Sequence, residues 1–482
     1  MPFMHIDQYR QIQARRQFLQ NWACGFGGLA LGGMMASDGL LGATAPTVNP
    51  LAPKKPHFAP KAKHVIFMFM EGGPSQMDLF DPKPALQKYH GQSLPASMTK
   101  DLKLAFIKPS AAVLGSPRVF KQHGNSGMLF SDYLPNLATC ADDICQIRSM
   151  HTEAFNHHPG QLMLFTGSIQ FGRPTMGAWV TYGLGSESQN LPGFVVLSSG
   201  VGTSGGASNF LSGFMPSTYQ GTQFRNSGEP ILYLSNPEGV SQETQRAGLD
   251  AIKDLNEKHY ADTGDMEIAS RIASYELAYR MQMSAPELLD FSKEDPKTLE
   301  MYGVGKKPTN EFGSNCLLAR RMVERGVRYI LMMDASWDTH TNLNKKLKEK
   351  CDATDLSAAA LIKDLKQRGL LDETLIVWGG EFGRTAMAEI RNLSDPDNAG
   401  RDHHPNGYTM WLAGGGIKGG TTIGATDEMG FNIIEDKVHI HDLQATILNQ
   451  LGFDHTKLTF RHTGRDYRLT DLGGEVVRKI IS

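Results

Sequence analysis

The chain has 482 residues, of which 40% are hydrophobic and 20% charged, and its formal net charge at pH 7 is -2. This composition is that of a globular protein long enough for one large domain or two. It excludes a strongly basic face of the kind that binds nucleic acid, and also a polybasic membrane anchor. We therefore expect a small molecule or another protein as partner, and no nucleic acid.

The amino terminus has the pattern of an export signal. Arg15 and Arg16, in ARRQFLQ, precede a weakly apolar, glycine-rich run at residues 23–36 that is too short and too mild to span a bilayer comfortably. This pattern resembles a twin-arginine signal, the route for proteins exported already folded, and it predicts a periplasmic or extracellular protein. The alternative is a terminal helix with two chance arginines.

We assign residues 1–45 to the signal region and residues 46–63 to a linker. The linker contains five prolines and several lysines, which predicts a disordered Pro-rich segment. Cleavage of the signal stays open, because Pro46 would follow the small residues before it and usually hinders the cut. An uncleaved signal is the one membrane contact that the sequence predicts.

Three apolar runs are each followed by an acidic residue. KHVIFMFM precedes Glu71, TLIVWGG precedes Glu381 and then Arg384, and VRYILMMD precedes Asp338 and His340 in WDTH. Continuous apolar runs of this length predict strands buried on both faces of a sheet. The carboxyl ends of such strands border the ligand crevice of open α/β sheets, so we expect these side chains at one edge.

A further group of polar residues follows Glu381. GRDHHPNG places Asp402, His403 and His404 before the apolar run YTMWLAGGG, which returns through the sheet. Carboxylates together with imidazoles suit zinc, manganese or iron better than magnesium or calcium, which prefer oxygen ligands. Lone Asp and His pairs more often cap turns, so the prediction of a metal site depends on the neighbouring strand ends.

The order of the elements predicts one α/β domain at residues 64–482. Buried strands alternate with helical patterns, which is typical of a doubly wound, mostly parallel sheet with helices on both faces. A loop and helical insertion is predicted at about residues 200–302, where residues 268–283 carry apolar side chains at a spacing that predicts one buried helix face. HDLQATILNQLG predicts a final helix with Leu443, Ile447 and Leu451 inward.

The five cysteines give no sign of a zinc ribbon. Cys140 and Cys145 are close enough in sequence to pair, but an unpaired buried thiol is the commoner state. The other three are at positions 24, 316 and 351.

Five short motifs follow one another along the chain: LPNLATCA, HHPGQLMLFTG, GGEFG, HHPNGYTMWLAGGG and ATILNQLG. Their order resembles that of the corresponding motifs in the alkaline phosphatase and sulfatase superfamily. The departures are specific: His157 stands where sulfatases have the cysteine that becomes formylglycine and phosphatases have Ser or Thr. Gly160 and Gln161 replace the Ser and Arg that support that nucleophile, and Glu71 replaces an Asp. A formylglycine sulfatase is therefore not expected.

Six longer motifs carry a closer resemblance: GGPSQMDLFDPKP, GAWVTYGLGSE, WDTH, LLDETLIVWGGEFGRT, DHHPNG and GRDYRLTD. They resemble, in the same order, the motifs of the exported bacterial family called domain of unknown function 1501. The family name states that the activity is not established, so the residues have to supply the functional argument.

We expect an exported metal-dependent hydrolase of phosphate or sulfate esters. The expected metal ligands are Asp338, His340, His403, His404 and Glu71. The divalent metal, with zinc or manganese favoured, would activate a bound water. An anionic small-molecule or polysaccharide ester is the expected substrate.

The expected catalytic residues are His157, Glu381 and Arg384. Glu381 would complete the metal shell or act as base, and Arg384 would clamp an anionic oxygen pair. His157 is open between general acid, metal ligand and covalent nucleophile. The alternative function is an inactive exported binding or scaffold protein with the same fold, because the superfamily nucleophile is missing and a fold does not guarantee chemistry.

Overall fold

The computed structural model describes residues 49–100, 102, 104–225, 231, 236–390 and 398–482. The signal region at 1–45, with Cys24, lies outside the described residues. Among the described helices, none is long and apolar enough to cross a membrane.

In the described part of the chain, nine strands form the main sheet. Eight follow the order β12-β4-β11-β8-β1-β7-β5-β6, and β15 also pairs with β4. All pairings are parallel except those of β11, which runs antiparallel to both β4 and β8. The described strands are β1 (His64–Met70), β2 (Phe120–His123), β3 (Met128–Ser131), β4 (Ile144–His151), β5 (Phe194–Ser199), β6 (Thr222–Phe224), β7 (Tyr329–Asp334), β8 (Thr374–Gly379), β9 (Gly383–Glu389), β10 (Gly400–His404), β11 (Asn406–Ala413), β12 (Thr421–Ile423), β13 (Ala425–Thr426), β14 (Ile433–Glu435), β15 (Val438–His439), β16 (Phe460–His462) and β17 (Arg465–Tyr467).

Helices cover both faces of this sheet, as predicted. The described α-helices are α1 (Gln76–Leu79), α2 (Ala85–Lys88), α3 (Ala96–Thr99), α4 (His157–Thr166), α5 (Met176–Leu184), α6 (Gln242–Thr263), α7 (Met266–Leu289), α8 (Pro296–Tyr302), α9 (Asn310–Val323), α10 (Leu343–Gln367) and α11 (Ile440–Gln450). Strand β1 divides its side chains between two cores, because successive residues of a strand face opposite ways. Ile66 and Met68 pack in the core that includes α9 and α10, whereas Val65 and Phe67 pack in the core that includes α4, α5 and α11.

The sheet register brings three strand ends to one edge. Met70 of β1 pairs with Asp334 of β7, and Phe69 pairs with Gly379 of β8. The residues that follow these strands therefore begin at one level. Strand β11 runs the other way and starts at this same edge, so the β9–β10 hairpin that precedes it also lies there.

The insertion contains the predicted helices, but the predicted apolar face of α7 is wrong in its middle. Ile268 is buried, whereas Tyr275 is 43% exposed and Met283 is 58% exposed. Helix α7 packs against α6, which itself buries no residue, and a salt bridge from Arg246 to Glu276 joins the two helices. Two long helices with little cover cannot bury a whole apolar stripe.

Residues 50–63 are not the disordered linker that their prolines predicted. The backbone N–H of Lys54 donates to Leu184, that of Phe58 to Gly452, and that of Lys61 to Gln450, at 2.8, 3.1 and 2.9 Å. Ala62 is fully buried. Proline-rich sequence therefore lies against the domain here.

The final helix and the cysteines are as predicted. Leu443, Ile447 and Leu451 are fully buried at α11. The four cysteines among the described residues are all buried and unpaired.

Candidate metal centre

Four ligand-type side chains converge at the strand edge. His157, Asp338, His340 and His403 each place one donor atom within 4.8 Å of the others. The Nε2 atoms of His340 and His403 are 3.0 Å apart. Oδ1 of Asp338 lies 2.9 Å from Nε2 of His340 and 3.4 Å from Nε2 of His403, while Oδ2 of Asp338 lies 3.5 Å from Nε2 of His157.

The four side chains come from three elements: a loop, a strand and a helix. Asp338 and His340 lie in the loop after β7, and His403 lies on β10. His157 is the first residue of α4. The cluster is thus assembled from segments far apart in sequence, and the sheet register holds it together.

The opposite nitrogen of each imidazole is held by an oxygen acceptor. Nδ1 of His157 is 2.7 Å from Oε1 of Glu381, and Nδ1 of His340 contacts Glu389. Nδ1 of His403 is 2.7 Å from the carbonyl oxygen of Phe155. A carbonyl oxygen only accepts, so the proton of neutral His403 is on Nδ1 and its Nε2 presents a lone pair.

The same tautomer follows for the other two imidazoles when they are neutral, because carboxylates accept from Nδ1. Three Nε2 lone pairs and the carboxylate of Asp338 then face one region. Metal-ligating histidines in proteins commonly donate their other ring N–H to a carboxylate or a carbonyl in this way. The donor set therefore fits a divalent transition metal.

His157 has one ring nitrogen without a close hydrogen bond. Its Nε2 is buried, and its contact with Oδ2 of Asp338, at 3.5 Å, is too long for a well-formed hydrogen bond. Burial opposes the charged form, but the neighbouring carboxylates of Asp338 and Glu381 raise the pKa of His157 to about 9. When no metal is bound, His157 is therefore protonated at neutral pH, and its positive charge balances the neighbouring carboxylates.

Arg384 and the three imidazoles keep Asp338 ionised. Burial alone would raise the pKa of Asp338, but hydrogen bonding with the imidazoles and the charge of Arg384 hold it well below its usual range. Nη2 of Arg384 donates to Oδ1 of Asp338 at 2.5 Å and also to the carbonyl of Gly72. Nε and Nη1 donate at 2.9 Å to the carbonyls of Gly73 and Arg401.

These contacts change the interpretation of Arg384. The sequence predicted a clamp for a substrate anion, but the side chain is fully buried and directed at protein oxygens. Its hydrogen bonds join Asp338, the loop after β1 and the β9–β10 hairpin.

Gly72 permits the close approach of the loop that carries Asp338. Its φ is +113°, a conformation that residues other than glycine rarely adopt. A Cβ atom at Gly72 would lie 2.2 Å from the backbone nitrogen of Asp338. Any larger residue would push that loop away from the cluster.

A second group of possible metal ligands adjoins the first and shares His157 with it. Glu71, His157 and Glu381 also have donor atoms within 4.8 Å of one another. Both carboxylate oxygens of Glu381 accept from the N–H of Gly72 at 3.2 Å. Burial, followed by the charge of Glu381, raises the pKa of Glu71.

Gln161 holds Glu71 in place. Its Nε2 donates to Glu71 at 3.3 Å, and its Oε1 accepts from the N–H of Gly205 at 2.8 Å. The N–H of Ser204 also donates to Glu71, at 3.3 Å. Residues of the long loop after β5 are thereby fixed against the site.

His404 is the one predicted ligand that the structure does not bring to either group. Its Nε2 donates to the carbonyl oxygen of Phe431 at 2.8 Å. Adjacent side chains on a strand face opposite sides, so when His403 faces the cluster His404 faces away.

Sequence reasoning missed Glu389, the partner of Nδ1 of His340. It is the last residue of β9, and with His340 and Asp402 it forms a third group of possible ligands. The sequence shows only that Glu389 directly follows the run RTAMA. This signal is weak unless the β9–β10 hairpin is known.

Comparison with known proteins identifies the family of the chain. The family model described as "Protein of unknown function (DUF1501)" matches residues 62–481. No curated protein matches the chain.

Solved structures with a similar chain trace have low identity. The PsFucS1 sulfatase from Pseudoalteromonas sp. is 11% identical, with 84% of this chain and 74% of that chain covered and a TM-score of 0.35. The phosphonate monoester hydrolase SpPMH from Silicibacter pomeroyi is 11% identical, with 81% and 73% covered and a TM-score of 0.34. A protein in the alkaline phosphatase superfamily from Vibrio parahaemolyticus is 11% identical, with 86% and 72% covered and a TM-score of 0.30.

Proposed function

The chain belongs to the DUF1501 family, as its motifs predicted, and from this premise we propose that it is an exported metal-dependent hydrolase of phosphate or sulfate esters. One observation carries the proposal. Three imidazole Nε2 atoms and one carboxylate converge, and each imidazole is oriented by an acceptor on Nδ1. The buried Nε2 of His157 makes only a long contact, 3.5 Å, with the carboxylate of Asp338.

The proposed ligands are His157, Asp338, His340 and His403. A divalent transition metal, with zinc or manganese favoured, supplies Lewis acidity toward water and an ester oxygen when bound there. This assignment gives His157 the role of ligand rather than nucleophile.

The surrounding residues hold and move protons. Glu381 accepts a hydrogen bond from Nδ1 of His157 and fixes the orientation of its ring. Glu71, whose pKa is raised, is the proposed group that exchanges a proton with the substrate. Arg384 keeps Asp338 ionised and pointed at the cluster.

One observation favours the alternative, a binding or scaffold protein without turnover. The charges of the site are already paired within the protein: Asp338 with Arg384, and Glu389 with His340. Buried charge is tolerable when it is paired, so the cluster does not require catalysis to explain it. The convergence of three imidazole nitrogens on the carboxylate of Asp338 weighs toward the metal proposal.

The test is a hydrolysis screen on purified, metal-loaded protein. We would assay phosphate and sulfate monoesters and diesters with added zinc, manganese or iron. The proposal expects turnover of at least one class, lost in Asp338→Asn. A well-folded, metal-loaded sample that hydrolyses no class would support the scaffold function instead.

A further inference from the structure

Two phenylalanines beside the metal centre are unusually exposed. Phe106 is 60% exposed and Phe155 is 43% exposed. Their rings meet edge to face with centroids 6.1 Å apart. We call this pair the aromatic platform. Exposed apolar groups placed together often mark a binding site.

The aromatic platform is continuous with the cluster through His403. The ring of Phe106 lies edge to face with the imidazole of His403, at a centroid distance of 5.5 Å. The carbonyl of Phe155 accepts from Nδ1 of that imidazole. A group bound at Asp338 would therefore have the platform as its neighbour on the His403 side.

A buried carboxylate fixes the platform. Oδ2 of Asp402 accepts from the N–H groups of Phe106 and Ile107 at 2.7 and 3.0 Å. Its Oδ1 accepts from the N–H of His403 at 2.8 Å. Asp402 is fully buried, and a buried carboxylate is stable only with such donors. The same side chain thus sets the positions of an exposed phenylalanine and of a proposed metal ligand.

We propose that the aromatic platform binds a ring in the alcohol part of the substrate, so that the substrate is a phosphate or sulfate ester of an aryl or sugar alcohol. This inference rests on the proposed function, because it takes the cluster at Asp338 as the site of the ester group. Both ring types present an apolar face, and a short chain alcohol does not. An aromatic face contacts such a ring by stacking or edge-to-face packing.

The test uses phosphonates, which mimic the ester and keep a stable carbon–phosphorus bond during the measurement. Methylphosphonate, phenylphosphonate and cyclohexylphosphonate would be titrated into metal-loaded protein by calorimetry, with inorganic phosphate for comparison. We expect either ring compound to bind about 3- to 10-fold more tightly than methylphosphonate, the size of one good aromatic contact. Preference for phenyl indicates an aryl ester, and preference for cyclohexyl indicates a saturated ring such as a sugar.

The variants Phe106→Ala and Phe155→Ala should each reduce that ratio of affinities toward 1. Phe106→Leu keeps apolar bulk without the aromatic face and serves if Phe106→Ala lowers the unfolding temperature. The matched control is Phe58→Ala, because Phe58 is also 43% exposed but lies before the amino end of β1, at the opposite edge of the sheet.

The outcomes separate the two proposals. If all phosphonates bind with equal affinity, or if the ratio survives both platform substitutions, the platform inference is overturned and the proposed function stands. If neither phosphate nor any phosphonate binds metal-loaded protein, both are overturned.

Discussion

The Nε2 atoms of His340 and His403 lie 3.0 Å apart, and both are within 3.4 Å of one oxygen of Asp338. Each imidazole has its Nδ1 engaged by an acceptor, Glu389 or the carbonyl of Phe155. Two ring nitrogens at this distance repel unless a cation or a proton lies between them or on one of them. When both Nδ1 atoms carry the ring proton, both Nε2 lone pairs face the region that a bound cation would fill.

Glu389 should control metal affinity without being the metal's own ligand. In Glu389→Ala the ring of His340 loses its Nδ1 acceptor, and we expect metal binding to weaken about 10- to 100-fold. Glu389→Gln retains an acceptor and should recover most of that loss. Competition with a chromophoric chelator measures both, and equal affinity of Glu389→Ala and wild type would remove Glu389 from the site.

The stability of the metal-free protein should fall as pH rises from about 6.5 to 9. The pKa of His157 is about 9 in the folded state and about 6.5 when unperturbed, so folding favours its protonated form. That contribution is complete below the unfolded pKa and is lost as pH rises through the folded value. Urea unfolding across this range should show a smaller decline in His157→Gln, and identical pH profiles would contradict the assignment.

Removing only one partner of the salt bridge between Asp78 and Arg401 should destabilise the protein more than removing both. Both side chains are buried, and Nε of Arg401 donates to Asp78 at 2.8 Å. Arg401→Met leaves a buried unpaired carboxylate and should cost about 3–5 kcal/mol of unfolding free energy. The double variant Asp78→Asn with Arg401→Met should cost less than Arg401→Met alone, as measured by urea unfolding. A double variant that loses more would show that the ion pair is not the origin of the effect.

Export by the twin-arginine route stays a prediction from ARRQFLQ. Replacing Arg15 and Arg16 together with lysine should retain the precursor in the cytoplasm, because this route reads the arginine pair. Fractionation and immunoblotting measure the result, and a single Arg10→Lys variant is the matched control. Normal export of the double variant would remove the signal assignment.

The sequence was sufficient for the strand ends. The apolar runs of β1, β7 and β8 leave little choice of element, and parallel strands in register bring their carboxyl ends together. The sequence alone therefore predicts Glu71, Asp338 and Glu381 at one edge of the sheet.

The sequence does not determine which of His403 and His404 joins the cluster. The pairing of β10 with β9 shifts register between Arg401 and His403, so simple alternation does not fix which of His403 and His404 faces the cluster. The bond from His403 to the carbonyl of Phe155 leaves no trace in sequence, because any residue supplies a carbonyl. The exposed middle of α7 was missed for a related reason, since periodicity predicts a face but not what covers it.

The metal content of variants at two adjacent histidines decides whether His403 is a metal ligand. His403 and His404 are both buried histidines on β10, but only His403 joins the cluster with Asp338. Protein purified without chelator would be analysed for zinc, manganese and iron by mass spectrometry. We predict stoichiometric metal in wild type and in folded His404→Gln, and loss of most of it in folded His403→Gln. Metal-free wild type, or metal retained in His403→Gln and lost in His404→Gln, would contradict it.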